Sequence, residues 1–238
     1  MTLPLTNALL LLNAIQERSL SYDEAKVIAF LGESGIGKTQ AALYCAANAS
    51  AVVVRPIVYK ESALIALILE KMGLYDRATG RYATGRKDLS VQDRILLAAD
   101  SLRESQIPLI VDEAGSLGDS QLSMLRRLAD ISGSVVVLIG ETGTRSRRCD
   151  DLAIKLSGIY NLQRRCEIVT CSTIDKDDVQ ELSKSMNIDL TGEMASYMAT
   201  VCKTPSIAIR MLKRVLENQG LGVKASTAMI DQLAGEIK

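Results

Sequence analysis

Residues 32–39 read Gly32-Glu33-Ser34-Gly35-Ile36-Gly37-Lys38-Thr39, a full match to the pattern G-x-x-x-x-G-K-[ST], and they follow directly on the apolar run Val27-Ile28-Ala29-Phe30-Leu31. A strand that stops at a glycine-rich turn leaves backbone N–H groups pointing inward. The helix that follows adds the positive end of its dipole, so the junction holds a polyphosphate anion. Lys38 is expected to reach the β and γ phosphates and the Thr39 hydroxyl to ligate Mg²⁺. Nucleotide contacts are expected over the whole stretch from Gly32 to Gln40.

Outward from this loop, Leu109-Ile110-Val111-Asp112-Glu113-Ala114 is a second apolar strand that delivers two carboxylates at its end. Adjacent strand residues face opposite ways, so Asp112 can serve Mg²⁺ while Glu113 turns toward the γ-phosphate and polarises the attacking water. A third strand, Val135-Val136-Val137-Leu138-Ile139, ends at Gly140-Glu141-Thr142. Thr142 can donate a hydrogen bond to the γ-phosphate or to the water, whereas Glu141 would need a compensating cation beside it. Hydrolysis also calls for a guanidinium, and the candidates are Arg145, Arg147, Arg148, Arg164 and Arg165, with Arg210 on a C-terminal helix as a sensor from the same chain.

The remainder of the 238 residues fits this layout. Continuous apolar strand candidates at Lys26–Leu31, Ala51–Arg55, Leu109–Val111, Ser134–Ile139 and Glu167–Cys171 alternate with helical patterns at Lys38–Asn48, Glu61–Met72, Val91–Glu104 and Ser120–Ile131. This predicts an α/β core over 1–172, with a parallel five-stranded sheet flanked by helices. Strands then cease, and helices near 175–186, 191–202, 205–218 and 225–236 predict an all-helical lid over 173–238. Twenty-eight basic and 28 acidic residues cancel, so contact with nucleic acid must come from a local patch. Five cysteines without a CxxC pair fit a reducing cytoplasm, and the absence of histidine removes imidazole bases and ligands. The leading Leu3–Leu12 run reads as an amphipathic helix, and no apolar stretch approaches the roughly 20 residues of a membrane span.

With these motifs the chain resembles the AAA+ ATPases, and within them the transposition regulators of the MuB, TnsC and IstB type. The resemblance rests on Gly32–Thr39, on Asp112-Glu113-Ala114-Gly115-Ser116-Leu117, and on Gln121-Leu122, Leu125-Arg126-Arg127-Leu128-Ala129-Asp130 and Val137-Leu138-Ile139-Gly140. It implies a P-loop AAA+ core, ATP and Mg²⁺ as cofactors, and a homo-oligomer, ring or helical filament, on double-stranded DNA. Such an oligomer marks a target for a transposase, and the transposase stimulates its ATP hydrolysis. Arg164 or Arg165 is then the finger that reaches a neighbouring subunit. Glu141 stands where many relatives carry asparagine. A secretion-associated ATPase, a helicase loader and a signalling nucleotide switch share the same core.

DNA contact is expected from the core itself, on the loop Asp76–Asp88. There Arg77, Arg81, Arg86 and Lys87 alternate with Gly80, Gly85, Thr79 and Thr84, within an internal echo of Ala-Thr-Gly-Arg.

Overall fold

The computed structural model describes residues 3–21, 26–56, 60–142, 151–159, 164–220 and 226–237. Its centre is a parallel sheet of β1 (Val27–Gly32), β2 (Val52–Val54), β5 (Leu109–Val111), β6 (Val136–Glu141) and β7 (Cys166–Thr170), in the order β2-β5-β6-β1-β7. The three inner strands are apolar, save for Glu141 at the tip of β6, because helices cover both faces. All of β1 and β5 is buried, as is β6 up to its last residue, while the edge strands β2 and β7 are only partly so.

One face is covered by α3 (Glu61–Lys71), α4 (Val91–Ser105) and α5 (Asp119–Ser132), whose Leu64, Ile68, Leu102 and Leu125 are fully buried. The other carries α1 (Thr6–Leu20) and α2 (Lys38–Asn48), which pack through Leu11, Ile15, Ala42 and Cys45 on Ile28 and Phe30. A short antiparallel hairpin, β3 (Tyr75–Asp76) and β4 (Arg81–Tyr82), follows α3, and α6 (Leu152–Gly158) lies between β6 and β7. The C-terminal helices α7 (Lys176–Ser185), α8 (Gly192–Cys202), α9 (Pro205–Gly220) and α10 (Thr227–Ile237) enclose a separate apolar cluster around Val179, Met198, Met211 and Ile230.

The chain start ties these two bodies together. Leu5 is buried among the lid residues, and the Thr6 backbone N–H donates to Asp178 Oδ1 at 2.6 Å. The buried Asn7 amide donates to the carbonyls of Ile36 and Ser172 at 3.0 and 2.9 Å and accepts from the Ser172 N–H. Phosphate loop, interdomain connection and lid therefore share one polar hub. Cys45, Cys166, Cys171 and Cys202 are free thiols. No described helix is long and apolar enough to cross a membrane.

Two elements differ from expectation. The segment at Asp76–Asp88, expected as loop, takes part in the β3–β4 hairpin, and α6 falls where no element was expected. Both are short, and two-residue strands or a two-turn helix carry too few residues for a periodic pattern.

Candidate nucleotide-binding and hydrolysis site

The sheet register sets the site. β1 pairs with β6 so that Gly32 lies beside Glu141, and β5 pairs with β6 so that Val111 lies beside Leu138. Three strand ends thus bring the phosphate loop, Asp112-Glu113 and Glu141 around one cleft of about 660 Å³. Gly35 and Gly37 hold φ of +80° and +96°, which a side-chain-bearing residue rarely adopts, so the loop can wrap an anion only with glycine there.

Lys38 is 9% exposed and donates from Nζ to the carbonyls of Gly32 and Glu33 at 2.9 and 2.8 Å. Burial holds its pKa below the ordinary lysine value, against the pull of the carboxylates of Glu141 foremost and then Asp112 and Glu33. A phosphate would restore the charge that burial disfavours. Glu141 lines the cleft, and Lys38 is the cation it needs there.

The Thr39 hydroxyl donates to Asp112 Oδ2 at 2.9 Å, so the two oxygens expected to serve Mg²⁺ lie side by side. Among the described residues no group of three or more acidic, cysteine or histidine side chains could hold a metal by itself. Mg²⁺ in a site of this kind would take one or two oxygens from the protein, here Thr39 and Asp112, and the rest from phosphate and water.

Glu113 sits at φ 57°, ψ 35°, the left-handed region, and its carboxylate is ion-paired to Arg55. Arg55 was missed in the sequence, where a single arginine after a strand carries no signal. It lines the cleft opposite the phosphate loop and faces Glu113 across the β2–β5 pair.

Thr142 lies outside the cleft wall, which takes Ile139, Gly140 and Glu141 from this strand. Its backbone N–H donates to the Gly32 carbonyl at 3.3 Å and fastens the strand tip to the phosphate loop. From α9 the wall receives Pro205, Ser206 and Ile209. Arg210 is exposed and outside it, because each helical step turns the side chain by about 100° and Ile209 takes the inward position. Gly35 lies so close to α9 that an added Cβ would stand 3.3 Å from the Ser206 Cβ.

Arg164 and Arg165 precede β7, whose Cys166 pairs with Val27 at the start of β1. The phosphate loop begins at the other end of β1, roughly 17 Å away at about 3.3 Å per residue. Neither can touch the nucleotide of its own chain. Arg165 pairs with Asp130 at 3.3 Å, and Asp130 also meets Arg126 at 3.5 Å. Arg145, Arg147 and Arg148 lie outside the described residues.

The basic residues Arg77, Arg81, Arg86 and Lys87 are all exposed on or beside the β3–β4 hairpin. Buried Tyr82 anchors that hairpin, stacked on Tyr75 with ring centroids 4.8 Å apart and covered by the Arg94 guanidinium at 5.4 Å. Gly80 and Gly85, the glycines of the two Ala-Thr-Gly-Arg echoes, both have positive φ, so each echo is a tight turn with an arginine after it.

Comparison with known proteins agrees with this geometry. The profile of the family described as AAA domain matches residues 21–147. Among solved structures, the RuvB Holliday junction branch migration motor of Thermotoga maritima superposes with a TM-score of 0.58 at 17% identity, over 99% of this chain and 70% of its own. Cdc6p of Pyrobaculum aerophilum gives 0.57 at 18% identity, over 93% and 64%. Domain III of the Thermotoga maritima replication initiation protein DnaA gives 0.51 at 11%, over 98% and 92%. At such identities the likeness bears on the fold. No curated protein sequence matches the chain.

Proposed function

The chain belongs to the AAA-domain family of ATPases, and from that footing we propose that it assembles with ATP and Mg²⁺ as a ring or filament on double-stranded DNA of any sequence and delivers that DNA to a transposase, which stimulates hydrolysis. The observation that carries the catalytic half is the convergence of Lys38, Thr39–Asp112 and Glu113 on one cleft. Lys38 leaves the two loop carbonyls for the phosphates, and Thr39 and Asp112 hold Mg²⁺. When bound, that ion offsets phosphate charge and orients the γ-phosphate. Glu113 polarises the attacking water once its carboxylate is released by Arg55, so the Arg55 pair sets a resting state for the site.

Oligomerisation is carried by the family resemblance; Arg164 and Arg165, remote from the cleft of their own chain, are available to that of a second copy, while Arg55 is the guanidinium the chain supplies to its own cleft. DNA binding is supported by the anchored basic hairpin and by the company of the fold, since RuvB is a branch migration motor and DnaA a replication initiation protein. The order of motifs from Asp112 to Gly140 is what supports the transposition assignment, and co-purification with a transposase would separate it from helicase loading.

The test is steady-state ATP hydrolysis with and without duplexes of unrelated sequence, for wild type, Lys38→Ala and Glu113→Gln. Wild type should be stimulated equally by all duplexes. Lys38→Ala should lose ATP binding, and Glu113→Gln should bind ATP, stop turnover and stay on DNA longer. Hydrolysis indifferent to DNA would remove the DNA half of the proposal, and wild-type turnover by Glu113→Gln would remove the catalytic half.

A further inference from the structure

Glu113 adopts a left-handed backbone that a glutamate does not hold unaided, so something must secure it. From within the turn, Ser116 bonds the Glu113 carbonyl twice, from its N–H at 3.0 Å and from its hydroxyl at 2.8 Å. From outside comes Lys155 on α6. Its partly buried ammonium donates to the carbonyls of Gly115 and Leu117, the latter at 2.8 Å. These are carbonyls at the end of the 3₁₀ turn Ala114–Ser116, which the turn itself cannot pair.

The other end of α6 grips the third strand. Asp151 forms a parallel backbone bridge with Glu141, and Leu152 lies so tightly on Gly140 that an added Cβ would meet its side chain at 2.5 Å. One short helix thereby fixes the tip of β6 and the turn after β5, the two strand ends that flank the γ-phosphate position.

We propose that Lys155 is a positioning residue for hydrolysis: its ammonium clamps the Gly115 and Leu117 carbonyls and so holds Glu113 at the angle from which it polarises water. The assignment rests on the catalytic role of Glu113 proposed above. Gly115 and Ser116 of that turn line the cleft but Lys155 does not, so removing its ammonium takes no direct contact from the nucleotide and binding is spared.

The experiment compares full-length wild type, Lys155→Met and Lys155→Arg for turnover, affinity for a fluorescent ATP analogue and thermal melting. Lys155→Met keeps the aliphatic stem but loses the clamp. Its kcat should fall about 10- to 100-fold, as a displaced catalytic group demands, with affinity changed less than about twofold. Lys155→Arg, which keeps a charged double donor, should recover most of the rate. Combined with Glu113→Gln, Lys155→Met should lower the residual rate no further, because both act through one group. If Lys155→Met does not melt cooperatively, Lys155→Gln, which keeps a polar end but loses the charged clamp, carries the same expectation of lost kcat at unchanged affinity. Full turnover in folded Lys155→Met, or in Lys155→Gln where that variant stands in, overturns the proposal. Equal losses of affinity and kcat also overturn it. Wild-type turnover by Glu113→Gln would instead sink the underlying role of Glu113, a result read from a different variant.

Discussion

Replacing Arg164 or Arg165 by alanine should separate binding from hydrolysis, and the sheet register says why. Both residues stand at the end of β7 opposite the cleft, so neither substitution reaches the nucleotide of its own subunit, and ATP affinity should stay at the wild-type level. The fold should survive too. The Arg165–Asp130 pair is 41% and 25% exposed, and an ion pair so open contributes about 0.2–1 kcal/mol. At about 2–4 °C per kcal/mol for a chain of this size, the melting temperature should move by no more than about 4 °C. A guanidinium supplied from a neighbour is worth about 10³–10⁵ in turnover, roughly 4–7 kcal/mol of barrier, so loss of activity and loss of stability are far apart. The decisive assay mixes the arginine variant with Glu113→Gln. The first has an intact cleft and no finger, the second an intact finger and an idle cleft. In an equimolar random assembly about one half of the clefts are intact and about one half of those face a working finger. About one quarter of all clefts are then complete, and the mixture should regain activity on that scale although each component alone is inactive. A mixture that stays inactive, with both variants shown to co-assemble, would refute the trans arrangement.

Gly140→Ala would push a Cβ to within 2.5–2.6 Å of Leu152 and should destabilise by about 1–3 kcal/mol, read as a lower melting temperature; Gly140→Ala with wild-type stability would mean that Leu152 moves aside freely. Neutralising Arg77, Arg81, Arg86 and Lys87 together should weaken binding to every duplex alike and flatten its salt dependence by up to about 0.9 log units per decade for each phosphate that these side chains no longer neutralise, while ATP binding is kept; an unchanged slope would move the DNA surface to another face. Burial raises the pKa of Asp178 above its ordinary 3.8, so its ionised form weighs against the folded state at neutral pH. That penalty fades as pH falls through the raised pKa toward 3.8, and the stability of wild type relative to Asp178→Asn should improve in the same window; a difference independent of pH would contradict it.

Legibility followed length and periodicity. The inner strands could be read because burial on both faces makes them continuously apolar, and α2 begins and ends where the pattern places it, at Lys38 and Asn48. The phosphate loop and Asp112-Glu113 were legible because their chemistry demands particular residues at fixed spacing. Arg55, Lys155 and Asn7 were not. Each acts through a partner far along the chain, Glu113, Gly115 and Ser172 respectively, and such pairings exist only once the sheet sets its register. The placement of Arg210 was hidden for a related reason: a helix reveals which residues share a face, but which face meets the cleft is decided by the packing of α9 on the phosphate loop.

The central claim is that ATP drives assembly on duplex DNA, and sedimentation velocity with a labelled duplex tests it most directly. Wild type with a non-hydrolysable ATP analogue should carry the duplex into fast-sedimenting species, whereas ADP, or Lys38→Ala with the analogue, should leave it free. Equal sedimentation of the duplex with the analogue, with ADP and without nucleotide would contradict the account.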